Sequence, residues 1–406
     1  MNTAYIENMF VVKFVLLTFR LLGLAPMTIS KSQASDHWNP KRKITKLTFS
    51  WSRLGTAYNL ILILGFLMEC YRQIPKIMTI DAVDKTTLSQ MYRNSIITCA
   101  NTLLIILLLT FCLRQRKIIK IGNQIVEIDS TLVGLRGIYQ LKPGKTYILL
   151  VLGLNLILNV LLIAMRLTAL QDMTGFMTMV VFNTVVFSFF ILQYALVVLV
   201  AERRFAGLNE ALLSLETKAV MINDSNRFQL ADQRSTVVSI IVIKRAYGKL
   251  YELCSEISSL YAPFTIFIVI YFSTSLLFAL YIIFFNMTRG HLGALPTVID
   301  SIWISVRSFP FILLTTNVRK THIQMQITSD ITHKLHSKFA AHREIKTELK
   351  NFTVDLMHRN FQFTAYGIFP IDYSLLKSIA STITTYLVIF VQFQLASSKH
   401  EPKEKK

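Results

Sequence analysis

Seven long, almost uncharged stretches divide this chain, and no water-soluble fold can bury that many of them. A helix crossing a bilayer core of roughly 30 Å needs about 20 such residues. Six stretches are plain: Leu54–Met68, Asn94–Leu113, Thr146–Met165, Met173–Ala201, Ile257–Thr288 and Ser378–Ser398. The first is short and continues past Glu69 towards Tyr71. The seventh, Pro296–Thr316, is interrupted by Asp300, Arg307 and Pro310. Hydrophobic residues make up 53% of the 406 positions and charged residues 16%, too little charge to keep a soluble chain of this length dispersed. The fold class expected is an all-α membrane protein with seven transmembrane helices.

The apolar run from Met9 to Leu24 is a further candidate. Lys13 and Arg20 lie seven residues apart, on one helical face, and a spanning helix would put both in lipid. An unbroken apolar region and a small-residue cleavage site, the marks of a signal peptide, are both missing. The run therefore reads as a helix lying in the membrane interface.

Orientation follows from the basic residues between the spans. Lys and Arg number 31 on the side that includes the N-terminus and 10 on the other. Positive charge collects on the cytoplasmic side, so the N-terminus is expected inside and the C-terminus outside. The net charge of +20 then suits anionic lipid headgroups better than nucleic acid. This orientation is the reverse of a G-protein-coupled receptor. The third span also lacks an Asp-Arg-Tyr at its inner end, so no G protein is called for.

The domain layout expected is as follows. Residues 1–53 form a cytoplasmic segment with the interfacial helix, and 54–316 hold the first six spans and an outward-facing ligand pocket. Residues 317–375 form cytoplasmic helices, 376–398 the last span, and 399–406 an extracellular tail. In 317–375, apolar residues recur at Ile327, Ile331, Leu335 and Phe339, then at Ile345, Leu349, Phe352 and Leu356. These steps of three and four mark amphipathic helices. Residues 202–259 behave likewise, with Phe205, Leu208, Leu212 and Leu215, then Val238, Ile241, Ala246 and Leu250. Asn223 to Asn226 reads as the turn between those two stretches. Two arrangements fit: a helical bundle under the membrane, or spans that simply run on into the cytosol.

Reactive chemistry is sparse. The four cysteines are too few and too scattered for a disulfide framework. His333 and His336 are three residues apart, but no third ligand falls at a metal-binding spacing. Neither a metal nor another cofactor is expected, and no nucleophile and base converge as an enzyme would require.

The last span carries the most specific signal. Ser378, Thr385 and Gln392 are spaced by seven and share one face, which Ser381 and Thr382 widen. Tyr386, Leu387, Phe390 and Val391 form the apolar side. An amide deep in a span is costly unless it meets water or another polar group. Periodicity alone leaves two readings level: a ring of such helices around an aqueous path, or a polar seam to a neighbouring helix.

Residues Thr385-Tyr386-Leu387-Val388-Ile389-Phe390-Val391-Gln392-Phe393 resemble the Thr-Tyr, five apolar, Gln-Phe signature of the insect gustatory receptors. The preceding stretch from Phe363 to Asp372 is similar to that family's helix-entry segment, except that Ile368 stands where an aromatic is usual. The Leu22-Gly23-Leu24-Ala25-Pro26 element, the seven spans and the inside N-terminus also agree in layout.

The resemblance implies a ligand-gated, non-selective cation channel of four subunits in a sensory-neuron plasma membrane. It also implies a pore lined by Ser378 and Thr385, with Ile389, Gln392 and Phe393 at the gate. The subunits would be identical or mixed with related receptors. With no Asp or Glu in the span, neutral Gln rings imply weak ion selectivity.

The ligand would be a small-molecule tastant entering from outside. The outer halves of the helices offer Phe176, Phe182, Asn183, Tyr281, Phe284, Asp300, Trp303 and Arg307. Each aromatic among them is also a normal core or lipid-facing residue. The sweet-taste members of the family tend to carry an acid after Thr-Tyr, so Leu387 favours a bitter or other non-sugar compound. An odorant receptor shares the inverted plan and stays an alternative. A secondary transporter is disfavoured by the lack of internal repeats.

Overall fold

The computed structural model describes residues 2–35, 43–79, 87–133, 144–169, 174–224, 230–288, 294–340, 342–359 and 361–400. In chain order these are α1 (Asn2–Leu21), β1 (Met27–Ser35), β2 (Lys43–Trp51), α2 (Arg53–Thr79), α3 (Thr87–Leu113), α4 (Gln115–Val133) and α5 (Lys145–Ala169). Then follow α6 (Thr174–Asp224), α7 (Leu230–Thr288), α8 (Ala294–Lys338), α9 (Arg343–His358), β3 (Thr364–Ala365), β4 (Phe369–Pro370) and α10 (Tyr373–His400). Among the described residues, α2, α3, α5, α6, α7, α8 and α10 are long and apolar enough to cross a membrane. They are the seven expected spans.

The centre of the bundle is the pair α6 and α8. In their most apolar stretches 89% of α6 residues are buried, against 44% for α8 and 11% for α10. Side chains tie the pair together along its whole length. Ser188 Oγ donates to the Val306 carbonyl at 3.4 Å, and Asn317 Nδ2 to the Ala195 carbonyl at 2.9 Å. Further along, Asn209 Nδ2 donates to the Gln324 carbonyl at 2.9 Å, and the Thr328 hydroxyl donates to Asn209 Oδ1 at 2.7 Å. The sequence separations of these contacts, 118, 122, 115 and 119, hardly change, so the two helices run parallel. Pro310 supplies no N–H to the carbonyl four residues before it, which is that of Val306. Ser188 fills that vacancy from the neighbouring helix.

The amphipathic stretches end up in continuous helices. α6 runs for 51 residues and α7 for 59, so the spans themselves extend past the bundle and pack there. Phe205, Leu208, Leu212 and Leu215 are buried, as are Ile345, Leu349, Phe352 and Leu356 of α9. On α7 Ala246 and Leu250 are buried as expected, but Val238 and Ile241 are exposed and Ile240 and Ile243 are buried in their place. Ile240, Ile243, Tyr247 and Leu250 keep steps of three and four, which Ile241 to Ala246 does not. Of the Asn223–Asn226 turn, Asn223 and Asp224 still belong to α6, and the other two residues lie outside those described.

Two elements were not read from the sequence. One is α4, which buries Ile118, Ile121, Ile128 and Leu132 on one side. It is tied to α7 by the ion pairs Lys120–Glu256 and Lys249–Glu127, each at 2.6 Å. The other is an antiparallel hairpin, β1 against β2, in register from Met27 opposite Trp51 to Ser35 opposite Lys43. The Asn123 side chain of α4 holds it by bonding both the N–H and the carbonyl of Phe49, at 2.9 and 3.1 Å. Gly122 lies beneath the Phe49 ring, where a Cβ would come within 2.7 Å. The hairpin, α4 and α9 therefore gather at one end of the bundle, called here the hairpin end.

The turn after α1 is built into the core. Gly23 adopts φ +77°, a left-handed conformation natural to glycine, and a Cβ there would meet Leu108 at 2.8 Å. Leu24 and Ala25 are fully buried. Three side-chain amides donate to the turn's carbonyls: Asn59 to Gly23 at 2.7 Å, Gln193 to Leu24 at 3.1 Å, and Gln115 to Pro26. On α1 itself Phe14, Leu17 and Leu21 are exposed while Phe19 is buried.

Two outcomes are expected. Asn209→Leu removes the amide that joins the Thr328 hydroxyl to the main-chain and side-chain oxygens of Gln324, and costs about 2 kcal/mol, read as a lowered melting temperature of the purified protein. Gly23→Ala combines backbone strain with a steric clash and costs about 2 kcal/mol or more, read in the same assay.

Candidate functional site

The last helix is entered through a compact joint. Residues Thr364–Ala365 pair with Phe369–Pro370, and the turn between them places Tyr366 at φ 54° and Gly367 at φ 77°. Asp372 caps α10, accepting from the Ser374 N–H at 2.8 Å and from the Ser374 hydroxyl. The Ser374 hydroxyl, aided by backbone N–H groups and by nearby Arg319, holds the Asp372 carboxyl below the usual carboxylate range. Arg319 of α8 lies over the Tyr373 ring at 5.4 Å, and the Tyr373 hydroxyl donates to Thr316 Oγ1 at 3.3 Å.

Beyond this joint α10 is scarcely covered. Ser378, Ser381, Thr382, Thr385, Tyr386 and Gln392 are all exposed. Ile389 is half-buried, and the Phe393 side chain lies outside the described residues. Within its own chain α10 leans mainly on α7, where Tyr281 meets Phe390 edge-on at 5.7 Å. The polar face read from the sequence thus meets no partner helix of its own chain, among the described residues.

The residues expected to line the ligand pocket are not one group. Phe182 packs on Phe66 of α2 at 5.7 Å, and Asn183 donates to Asn101 of α3 at 2.6 Å. Tyr281 faces α10, and the Phe176 side chain lies outside the described residues. Trp303 is buried with Leu162, Val181, Ile299 and Val306, where α5, α6 and α8 meet. The Arg307 guanidinium lies over the Trp303 ring at 4.3 Å and near the Tyr271 ring at 5.9 Å. Asp300 and Phe284 are half-buried.

Sequence reasoning missed Asn155, Asn159 and Ser188. Asn155 is fully buried on α5 and accepts from Ser188 Oγ at 3.0 Å. Asn155 Nδ2 and Asn159 Oδ1 have no hydrogen-bond partner among the described residues. Two asparagines four apart in an otherwise uncharged, apolar stretch were a readable signal, since each amide there needs a polar partner. Among the described residues, no three His, Cys, Asp or Glu side chains converge as metal ligands.

A cavity of about 360 Å³ lies elsewhere, between α8 and the joint before α10. Val318, Arg319, His322 and Gln326 form one wall, and Phe361, Phe363, Pro370 and Asp372 the other.

Seven helices long and apolar enough to cross a membrane, the last of them scarcely covered, define a multi-pass membrane protein among the described residues. The sequence profile of the 7tm Chemosensory receptor family matches residues 12–397, so the chain belongs to that family. Among insect relatives from Drosophila melanogaster, Gustatory receptor 68a is 32% identical over 127 residues, covering 30% of this chain and 32% of that one. Gustatory and pheromone receptor 32a is 36% identical over 100 residues, covering 24% of this chain and 21% of that one. These matches span a third or less of the curated relatives' length. The fold is that of the insect olfactory receptor OR5 from Machilis hrabei, with a TM-score of 0.66 and 12% identity over 96% of this chain and 99% of that one.

The cap on α10 yields a pH test. Because the Asp372 pKa is depressed in the folded chain, its stabilisation is fully present above about pH 4 and is lost as pH falls through the folded value. Hydrogen exchange at the first turn of α10 should accelerate in that acidic range. Asp372→Asn, which keeps a capping side chain, should remove the pH dependence, whereas Asp372→Ala should cost about 1 kcal/mol at neutral pH.

Proposed function

We propose that this chain is a subunit of a tastant-gated, non-selective cation channel, with four copies arranged around α10. The observation that carries the proposal is the nearly uncovered last helix. A helix with Ser378, Thr385 and Gln392 exposed along one face is poorly suited to lipid, and no helix of its own chain shields it among the described residues. Copies of α10 around a common axis would bring those side chains to an aqueous path. Gln392 and Phe393 would form its constriction, with Ile389 a turn before them. The hairpin end, where the basic residues gather, would face the cytosol, and the packed extensions of α6, α7 and α8 with α9 would join the subunits.

The ligand site favoured is the contact of α5, α6 and α8. Trp303 and Arg307 supply an aromatic and a cationic surface there, and Asn155 and Asn159 supply amide groups with unmet hydrogen-bonding capacity. Such a spot suits a small organic molecule with an aromatic ring and a few polar groups. A related solved structure, of the Machilis hrabei receptor in complex with eugenol, holds a molecule of that kind, and this chain matches it with a TM-score of 0.63 at 12% identity. Leu387 favours a bitter or other non-sugar compound. A plasma-membrane location in a sensory neuron completes the reading.

The test is whole-cell current during a panel of bitter compounds and sugars. A tastant-evoked cation current is expected, with conductance or gating changed by Gln392→Ala. Current that Gln392→Ala leaves untouched removes α10 from the pore. Trp303→Ala should raise the half-activating concentration of an effective tastant about tenfold without changing unitary conductance.

A further inference from the structure

The cavity between α8 and the joint has charges of both signs on its walls. Arg319 and Asp372 both line it, and Arg319 lies near enough to the carboxylate to help hold it ionised. The guanidinium carbon lies 5.4 Å from the centre of the Tyr373 ring, and the group carries five N–H donors. The carboxylate is held ionised at the start of α10. Phe361 and Phe363, edge-to-face at 4.8 Å, and Pro370 make an apolar floor, and Gln326 adds a polar group at the rim.

The level of the cavity narrows the choice of occupant. On α8 no charge occurs between Arg307 and Arg319, and on α10 none occurs from Ser378 to Ser398. The cavity therefore lies where the uncharged stretches of both helices begin, at the depth of a lipid headgroup. Its volume, about 360 Å³, is that of a small-molecule site.

We propose that this cavity binds the headgroup of a zwitterionic phospholipid, its phosphate on Arg319 and its ammonium on Asp372. A headgroup held there touches the residue that caps α10 and the arginine that lies over the ring of its first residue. It would thereby set how firmly the last helix is held at its entry. The site is distinct from the tastant site, and its detection does not depend on channel activity.

The test uses the purified full chain in detergent, with lipid retention read by native mass spectrometry. Phosphatidylethanolamine should be retained about tenfold more strongly than phosphatidylglycerol, which has the phosphate but no ammonium. Soluble phosphoethanolamine should displace the lipid at millimolar concentration. Arg319→Gln and Asp372→Asn, each with an unchanged melting temperature, should lose that preference. Equal retention of the two lipids by the wild-type chain would overturn the proposal without recourse to any variant. Variants that retain phosphatidylethanolamine like the wild type would also overturn it. So would binding of soluble phosphoethanolamine that leaves the lipid in place.

Discussion

Backbone carbonyls inside a bilayer find no water, so each must be satisfied within the protein, and the parallel pair α6–α8 shows how this chain meets that demand. The pair is held by side chains of one helix bonding main-chain groups of the other: Ser188 to Val306, Asn317 to Ala195, and Asn209 to Gln324. One of these bonds fills the Val306 carbonyl that Pro310 leaves open. Such bonds are individually worth about 1 kcal/mol, but they fix register as well as distance. With α6 and α8 locked, α5 and α7 have a defined surface to pack on, and the rings of Phe187, Tyr271, Phe272 and Phe311 interlock edge-to-face across it.

α10 stands at the other extreme. It is attached through a capped first turn and a few ring contacts, and most of its surface is left for something outside the chain. The contrast divides the molecule into a rigid frame and one loosely held element. Under the proposed function the frame would register a small ligand, and the loosely held helix would respond. Local stability follows the density of buried contacts, so α10 is where a modest free-energy change can act.

Much of this was legible in the sequence because lipid imposes a simple rule on composition. The seven spans stand out as uncharged runs, and the stripes that start on α8 and α9 follow helical periodicity onto buried positions, Ile327 being only half-buried. The polar face of α10 was visible for the same reason. What escaped was decided by partners remote in sequence. The hairpin depends on Asn123, some 74 residues from Phe49, and nothing within β1 or β2 announces that bond. On α7 the stripe was misplaced because Val238 and Ile241 are as apolar as the Ile240 and Ile243 that are buried. The expected ligand residues were chosen for their depth in the bundle, but depth does not tell which way a side chain points. Phe182 packs on Phe66 of α2, and Tyr281 on Phe390 of α10.

The plug formed by Gly23 to Pro26 has a consequence for how the protein is made. Its three amide donors lie 36, 89 and 169 residues further along the chain. A ribosome delivers α1 first, yet the last of its docking groups, Gln193, emerges only with α6. Until then the Leu24 carbonyl lacks the donor that holds it in the finished fold. The N-terminus is therefore a latch that closes late, and newly made chains stalled before α6 would display it open to whatever inspects unfinished membrane proteins.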